Sequence, residues 1–261
     1  DNGPDSITGL PAGTTATNSN EDGNDVAIGD HGRITLHKFD VNQDDGQNFR
    51  SSLVSRVESI DVIEGTGGDD HIEGSIGRDI LIGGEGADTL YGESSVNAYL
   101  LAQEDGDDVI LGDNGLVRFD VTSVEGLTAT FAGAGDDQAQ TLDLVISQDT
   151  TDGGDDFIYG GDGNDLMIGG FGADIILSDN GPDATGLVPA GTVATNSNVD
   201  GNDVAIGDHG RITLKIGGSD PLNDQNFRSS LVSRVESIDV IEETGGDDHI
   251  EGSIGRDILI G

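Results

Sequence analysis

The sequence predicts an all-β fold, a parallel β-roll (β-solenoid) interrupted by β-hairpin excursions. Three observations predict it. A Gly-x-Asp tripeptide recurs nine residues apart in runs, and a large apolar residue stands two places after most of the Asp. Residues 1–83 align without gaps to 179–261 at an offset of 178, with 65 identities, and self-similarity on that scale marks a repeat architecture. The composition offers little for a conventional core: 33% hydrophobic, 4% aromatic, 43 Gly, and a formal net charge of −40 from 51 acidic and 11 basic side chains.

That charge excludes nucleic acid as a partner, because phosphate is bound by Lys and Arg. No apolar run approaches the ~20 residues of a membrane span. The absence of Cys excludes a disulfide framework and a thiolate metal site. Low apolar content with high net charge describes a disordered chain unless something positive neutralises it. Asp exceeds Glu by 39 to 12. Short carboxylates on Gly-rich turns suit hard cations, and Ca²⁺ takes about six to eight oxygens.

The turns follow from the runs. One holds Gly68-Asp69-Asp70, Gly77-Arg78-Asp79 and Gly86-Ala87-Asp88; a longer one runs from Gly154-Asp155-Asp156 through Gly163-Asn164-Asp165 and Gly172-Ala173-Asp174 to Gly181-Pro182-Asp183; a third has Gly246-Asp247-Asp248 and Gly255-Arg256-Asp257. Isolated units end at Asp5, Asp25, Asp108 and Asp203. The full unit reads G-G-x-G-x-D-x-U-x with U apolar, as in GGEGADTLY at 83–91 and GGDGNDLMI at 160–168. Gly permits the positive-φ turn and U points inward. Two such units make one coil, and stacked coils form parallel strands ~4.8 Å apart.

This stacking sets Asp above Asp. Unscreened, each such pair repels by about 1 kcal/mol in water and by more where desolvated; a divalent cation between them reverses the sign. Pairs 18 apart are the best sites: Asp70 with Asp88, Asp156 with Asp174, Asp165 with Asp183. Pairs 20 apart are second: Asp5–Asp25, Asp88–Asp108, Asp183–Asp203. Asp79 and Asp257 fall on the opposite edge from Asp70 and Asp248. Carbonyls of Gly67, Gly84, Gly86, Gly153, Gly161, Gly163, Gly170, Gly172 and Gly245 are candidates to complete the oxygen shell.

Between runs, gaps of 36 and 39 residues hold alternating β-branched segments: RITLHKF at 33–39, LVSRVESIDVI at 53–63, LVRFDV at 116–121 and TLDLVIS at 141–147. Alternation reads as strands, so each gap is a two-stranded excursion; the rival reading is degenerate coils. In GDHGRI and GDNGLV the Asp place is taken by Ile34, Val117 and Ile212, so those turns should bind no ion in the usual manner. Segment 93–103 reads as a short helix or loop, and 6–20 as an exposed loop. With about 80 residues in excursions, about ten coils remain, roughly 50 Å of solenoid.

Several nonapeptides in register resemble the RTX (hemolysin-type) repeats of proteins exported by type I secretion. The resemblance implies a calcium-bound parallel β-roll, Ca²⁺ held between adjacent turns, an extracellular location and folding after export.

Three repeat units are expected, 1–92 (beginning mid-repeat), 93–187 and 188–261 (truncated), in one continuous solenoid. The second acidic residue of GDD (Asp69, Asp107, Asp155, Asp247) should face solvent. No His cluster suits zinc, and no nucleophile elbow is present, so no enzyme activity is expected here. The favoured function is a calcium-rigidified structural segment of a large secreted surface protein: a filament, sheath, surface layer or adhesin stalk. Its partners would be calcium ions and neighbouring repeats, with self-assembly into fibres. The alternative is a secretion and folding module attached to an enzyme such as a protease, lipase or epimerase.

Overall fold

A computed structural model describes residues 25–36, 54–60, 65–74, 77–92, 107–119, 142–149, 151–178, 201–214, 232–238, 245–252 and 255–261. The loop expected at 6–20, the helix or loop expected at 93–103, Asp5 and Asp183 lie outside them.

The described chain is all β and forms three sheets. Two are the faces of a roll. The first is six-stranded, in the order β1 (Val26–Ile28), β5 (Ile80–Ile82), β7 (Val109–Leu111), β11 (Leu166–Ile168), β13 (Val204–Ile206), β17 (Ile258–Ile260), and every neighbouring pair is parallel. The second is five-stranded and parallel: β4 (His71–Glu73), β6 (Thr89–Tyr91), β10 (Phe157–Tyr159), β12 (Ile175–Leu177), β16 (His249–Glu251).

The long gaps are excursions, not degenerate coils. Each sends out an antiparallel pair: β2 (Gly32–Leu36) with β3 (Val54–Ser59), β8 (Gly115–Arg118) with β9 (Leu144–Ser147), and β14 (Gly210–Leu214) with β15 (Val232–Ser237). The three hairpins join edge to edge, β3 to β8 and β9 to β14, into a third, six-stranded antiparallel sheet. Edges that would otherwise template aggregation are thereby paired with the next hairpin.

Each roll strand is three residues long, and side chains alternate between faces, so the middle residue points into the roll. Leu81, Leu90, Ile110, Ile158, Met167, Ile176 and Ala205 form that inner core, all 0% exposed. The flanking residues of the first sheet point outward, yet they are buried too. Ile80, Ile82, Val109, Leu111, Leu166, Ile168, Val204 and Ile206 pack against Val54, Val57, Val117, Val145 and Ile212 of the hairpin sheet. The first sheet is therefore covered on both faces, which is why its strands read VAI, ILI, VIL and LMI with no polar residue. The second sheet reads HIE, TLY, FIY and IIL, and its outward Tyr91, Phe157, Tyr159, Ile175 and Leu177 pack together in a small cluster of their own. In the hairpins Ile34, Val57, Val117, Val145, Ile212 and Val235 lie in one cross-strand row, and Arg33, Glu58, Leu116, Ile146, Arg211 and Glu236 in the next row, on the other face.

Among the described residues the first sheet has six strands, fewer than the ten coils of the sequence arithmetic, and each hairpin takes residues out of the roll without adding a coil. Ile110 sits at the centre of the inner core. Ile110→Ala is expected to lower the stability of the calcium-loaded chain by roughly 2–5 kcal/mol, read by urea unfolding in millimolar calcium.

Candidate metal centre

The turns of the roll fall on two edges. On the first edge, chain passes from the first sheet to the second. Two of its turns are plain nonapeptides, Gly83–Asp88 and Gly169–Asp174. The other three carry the hairpins: Gly29-Asp30 opens the turn, the hairpin leaves and returns, and Gly67–Asp70 closes it. Gly112-Asp113 with Gly153–Asp156 and Gly207-Asp208 with Gly245–Asp248 repeat the arrangement.

Turn aspartates stack into a ladder along each edge. On the first edge the N–H of Asp70 donates to Oδ1 of Asp88 at 2.7 Å, Asp88 to Asp156 at 2.8 Å, Asp156 to Asp174 at 2.8 Å and Asp174 to Asp248 at 3.0 Å. On the second edge the same bond runs from Asp25 through Asp79, Asp108, Asp165 and Asp203 to Asp257, at 2.7–3.2 Å. One carboxylate oxygen of each Asp after the first on its edge thus accepts the amide N–H of the ladder Asp before it.

The other oxygen shows what these turns suit. Oδ2 of Asp70, Asp88, Asp156 and Asp174 is buried and has no hydrogen-bond partner; Asp88, Asp156 and Asp174 are at most 2% exposed. Each lies against the first glycine of a turn, beside a main-chain carbonyl of the next coil. A Cβ on Gly83 would meet Asp88 Oδ2 and the Gly112 carbonyl. One on Gly112 would meet Asp156 Oδ2 and the Gly169 carbonyl, and one on Gly169 would meet Asp174 Oδ2 and the Gly207 carbonyl, all under 3.0 Å. Glycine holds this first position for space. The second and fourth positions need it for conformation: Gly84, Gly86, Gly161, Gly163, Gly170 and Gly172 have φ between 106° and 129°. A buried, unpaired anionic oxygen costs several kcal/mol, and a carboxylate next to main-chain carbonyls is the donor set of a hard cation. The residues present fit Ca²⁺.

The electrostatics agree. Burial pushes the Asp88 carboxyl up to about 7 and that of Asp174 up to about 8, with neighbouring carboxylates adding to the rise. Asp156 is raised chiefly by burial, with Asp174 and Asp88 adding to it. Asp70, Asp248 and Asp257 are raised as well, burial being the largest cause for each.

The structure brings together Asp70 with Asp88, and Asp156 with Asp174, as the 18-residue spacing suggests. It separates Asp88 from Asp108: Asp88 is on the first edge, between Asp70 and Asp156, and Asp108 on the second, between Asp79 and Asp165. Asp165 lies between Asp108 and, 38 residues further along the chain, Asp203. The 20-residue spacing therefore crosses from one edge to the other instead of completing a coil. Of the glycine candidates, Gly86, Gly163 and Gly172 turn their carbonyls onto Gly154, Gly201 and Gly246 of the next coil. Gly84, Gly161 and Gly170 donate N–H to the carbonyls of Gly112, Ser178 and Gly207. Gly67, Gly153 and Gly245 face Asp30, Asp113 and Asp208.

Two features escaped sequence reading. Ile34, Val117 and Ile212 are not the Asp place of a turn at all; they are hairpin strand residues. The interrupted turn is completed later in the chain, with its own Asp. Asp30 and Asp113 are turn residues that hold that join, and the GD-[HN]-G signature at 29–32, 112–115 and 207–210 was their signal. Asp107, expected at the surface, is 6% exposed and accepts both the backbone and side-chain N–H of Asn164; Asp69, Asp155 and Asp247 are exposed.

Among the described residues no three His, Cys, Asp or Glu side chains gather as a metal-binding group. The available oxygens are ladder carboxylates plus main-chain carbonyls, repeated coil after coil. A parallel roll with these two edges defines a repeat protein built to hold divalent cations along its turns. The family model described as RTX calcium-binding nonapeptide repeat (4 copies) matches residues 58–95, 150–184 and 239–261. Over those residues the chain carries RTX-type nonapeptide repeats, a repeat that binds calcium ions. No curated protein and no solved structure matches it.

The carboxyl shifts set a pH dependence. Unfolded, these Asp lose their protons near the ordinary 3.8 of a free aspartate; folded and metal-free, Asp88 and Asp174 keep theirs to about 7 and about 8. Between those limits the native state holds more protons than the unfolded one, so its stability falls as pH rises. In chelator, the circular dichroism signal of β-structure should be largest near pH 4 to 5 and shrink towards pH 8. Millimolar calcium should flatten that slope, with protons released on binding.

Proposed function

We propose that this segment is a calcium-rigidified structural rod within a secreted surface protein, such as a filament, sheath, surface layer or adhesin stalk, and that it carries no catalysis. On this reading Asp70, Asp88, Asp156, Asp174 and Asp248 hold ions on the first edge, and Asp25, Asp79, Asp108, Asp165, Asp203 and Asp257 on the second. Carbonyls of the turn glycines complete the shell. Bound calcium supplies positive charge between stacked carboxylates and a partner for each inward Oδ2.

One observation carries the reading: the hairpins of successive repeats join into one sheet that runs the length of the described array and covers the roll. Each coil is fixed to the next by two parallel strand pairings, and each hairpin by its neighbour. Such arrays extend by repetition, neighbour on neighbour. The 178-residue duplication supports extension, since Val26 of β1 and Val204 of β13 are copies of each other four strands apart in one sheet.

Folding would follow export. In the low calcium of a cytoplasm the ladders repel and the chain stays open; in millimolar calcium outside the cell it closes, because an ion that binds only the folded form stabilises it by mass action. Chains of one, two and four tandem copies of the 178-residue repeat test this by X-ray scattering. In calcium the long axis should grow by about 19 Å per copy, four strand spacings of ~4.8 Å; in chelator the chains should scatter as expanded coils. Tandem copies that collapse onto one another, or stay compact in chelator, would sink the rod and favour a folding module for an attached enzyme.

A further inference from the structure

The hairpin-bearing turns pose a problem that plain turns do not. A plain turn is closed by six consecutive residues. In the interrupted ones the second and third turn positions are Asp30 and Gly67, or Asp113 and Gly153, and dozens of residues intervene. Something must hold the join shut, or the ladder Asp that follows would lose its register.

Asp113 does this. Its Oδ1 accepts the N–H of Gly154 in its own turn at 3.1 Å, across 41 residues, and its Oδ2 accepts the N–H of Phe171 in the turn of the next coil. The Cα atoms of Gly153 and Gly170 close on the same carboxylate, leaving no room for a Cβ on either. Asp30 repeats the arrangement: Oδ1 accepts from Gly68 at 3.3 Å, across 38 residues, and Oδ2 from Glu85 at 2.8 Å. Asp208 lies against Gly245 in the same way.

The join also lies among the ladder charges. Asp113 is 2% exposed, and the two carboxylates that act on it most strongly are Asp156 and Asp174. Those are the residues whose buried Oδ2 atoms have no hydrogen-bond partner. Both oxygens of Asp113 accept backbone amides, which fixes its carboxylate in the join beside the ladder.

We infer that Asp113, with its copies Asp30 and Asp208, is a positioning residue for the calcium sites of the first edge. It clasps the hairpin-bearing turn and sets an added buried negative charge beside the ladder pair. The inference rests on calcium binding by the ladder. It makes the hairpin-bearing turns a separate class of site, with more negative charge than the plain turns of the second edge, and calcium affinity rises with charge count and rigidity. It also ties docking of the hairpin sheet to ion binding.

Asp113→Asn in the full chain tests it, with Asp162→Asn as the control that removes the same charge from a second-edge turn. Calcium titration by calorimetry should show one class of sites weakened about tenfold in Asp113→Asn and unchanged in the control. Terbium luminescence, with calcium as competitor, separates charge from mere structure. Loss of one negative charge weakens a trivalent ion more than a divalent one, so the terbium-to-calcium preference should fall several-fold. An unchanged preference, or unchanged calcium affinity, overturns the inference. If the unsubstituted chain bound no calcium, the ladder reading itself would fail. Should Asp113→Asn not fold, Asp30→Asn, on the outermost hairpin-bearing turn, carries the same measurements.

Discussion

Everything in this molecule depends on what meets the second oxygen of each ladder aspartate. Parallel stacking of identical turns puts like charge over like charge in every coil, at the spacing of a β-sheet. The backbone satisfies one oxygen, since the N–H of each Asp finds Oδ1 of the next. The other is driven inward, against a glycine chosen for having no side chain. A folded chain of this kind is an unfinished one until a cation arrives, and its net charge of −40 is the part of the site that the polypeptide supplies. Protons are a poor substitute, because they neutralise one carboxylate each and cannot bridge two.

That constraint explains the distribution of apolar residues. Among the described residues, six three-residue strands on one face and five on the other make a thin inner core, one side chain deep per strand. With only 33% hydrophobic residues, the chain cannot thicken it. Instead it spends its most apolar strands on a sheet buried from both sides and lays the hairpin sheet over it. The second core of Ile80, Val109, Leu166 and Val204 against Val57, Val117 and Ile212 ties coils to hairpins without lengthening any turn. Its cost is the interruption of alternate turns on the first edge, which Asp30 and Asp113 repair.

The local chemistry was legible in the sequence and the long-range bookkeeping was not. A nine-residue period fixes glycine, aspartate and apolar residue in one short turn-and-strand unit, so the parallel roll and the Asp70–Asp88 and Asp156–Asp174 neighbours follow from spacing alone. Pairing beyond a plain turn is different. Asp88 meets Asp156 across 68 residues and not Asp108 across 20, because backbone hydrogen bonding counts coils while sequence counts residues. The same blindness hid the turns themselves: GDHG was read as a defective turn, when it is the first half of a sound one. The apolar triplets did carry a signal, since VAI, ILI and LMI leave no face for water, whereas HIE does.

The same bookkeeping bears on what the proposed rod is for. Repetition by 178 residues advances the first sheet by four strands, about 19 Å at the spacing of a β-sheet. A single α-helix of equal residue count would extend more than tenfold further. Selection for reach alone would favour bare nonapeptides, two per coil, with no excursions. Duplication has instead kept the hairpins along with the roll, residue for residue through SSLVSRVESIDVIE. What each copy adds is girth, a second core and a broad sheet whose outer rows carry Arg33, Glu58, Arg211 and Glu236 as ion pairs. Bending stiffness rises steeply with cross-section, so a short, thick, ion-locked array resists lateral load better than a long thin one. Such girth suits the stalk proposed above, in which calcium would set when the array is rigid.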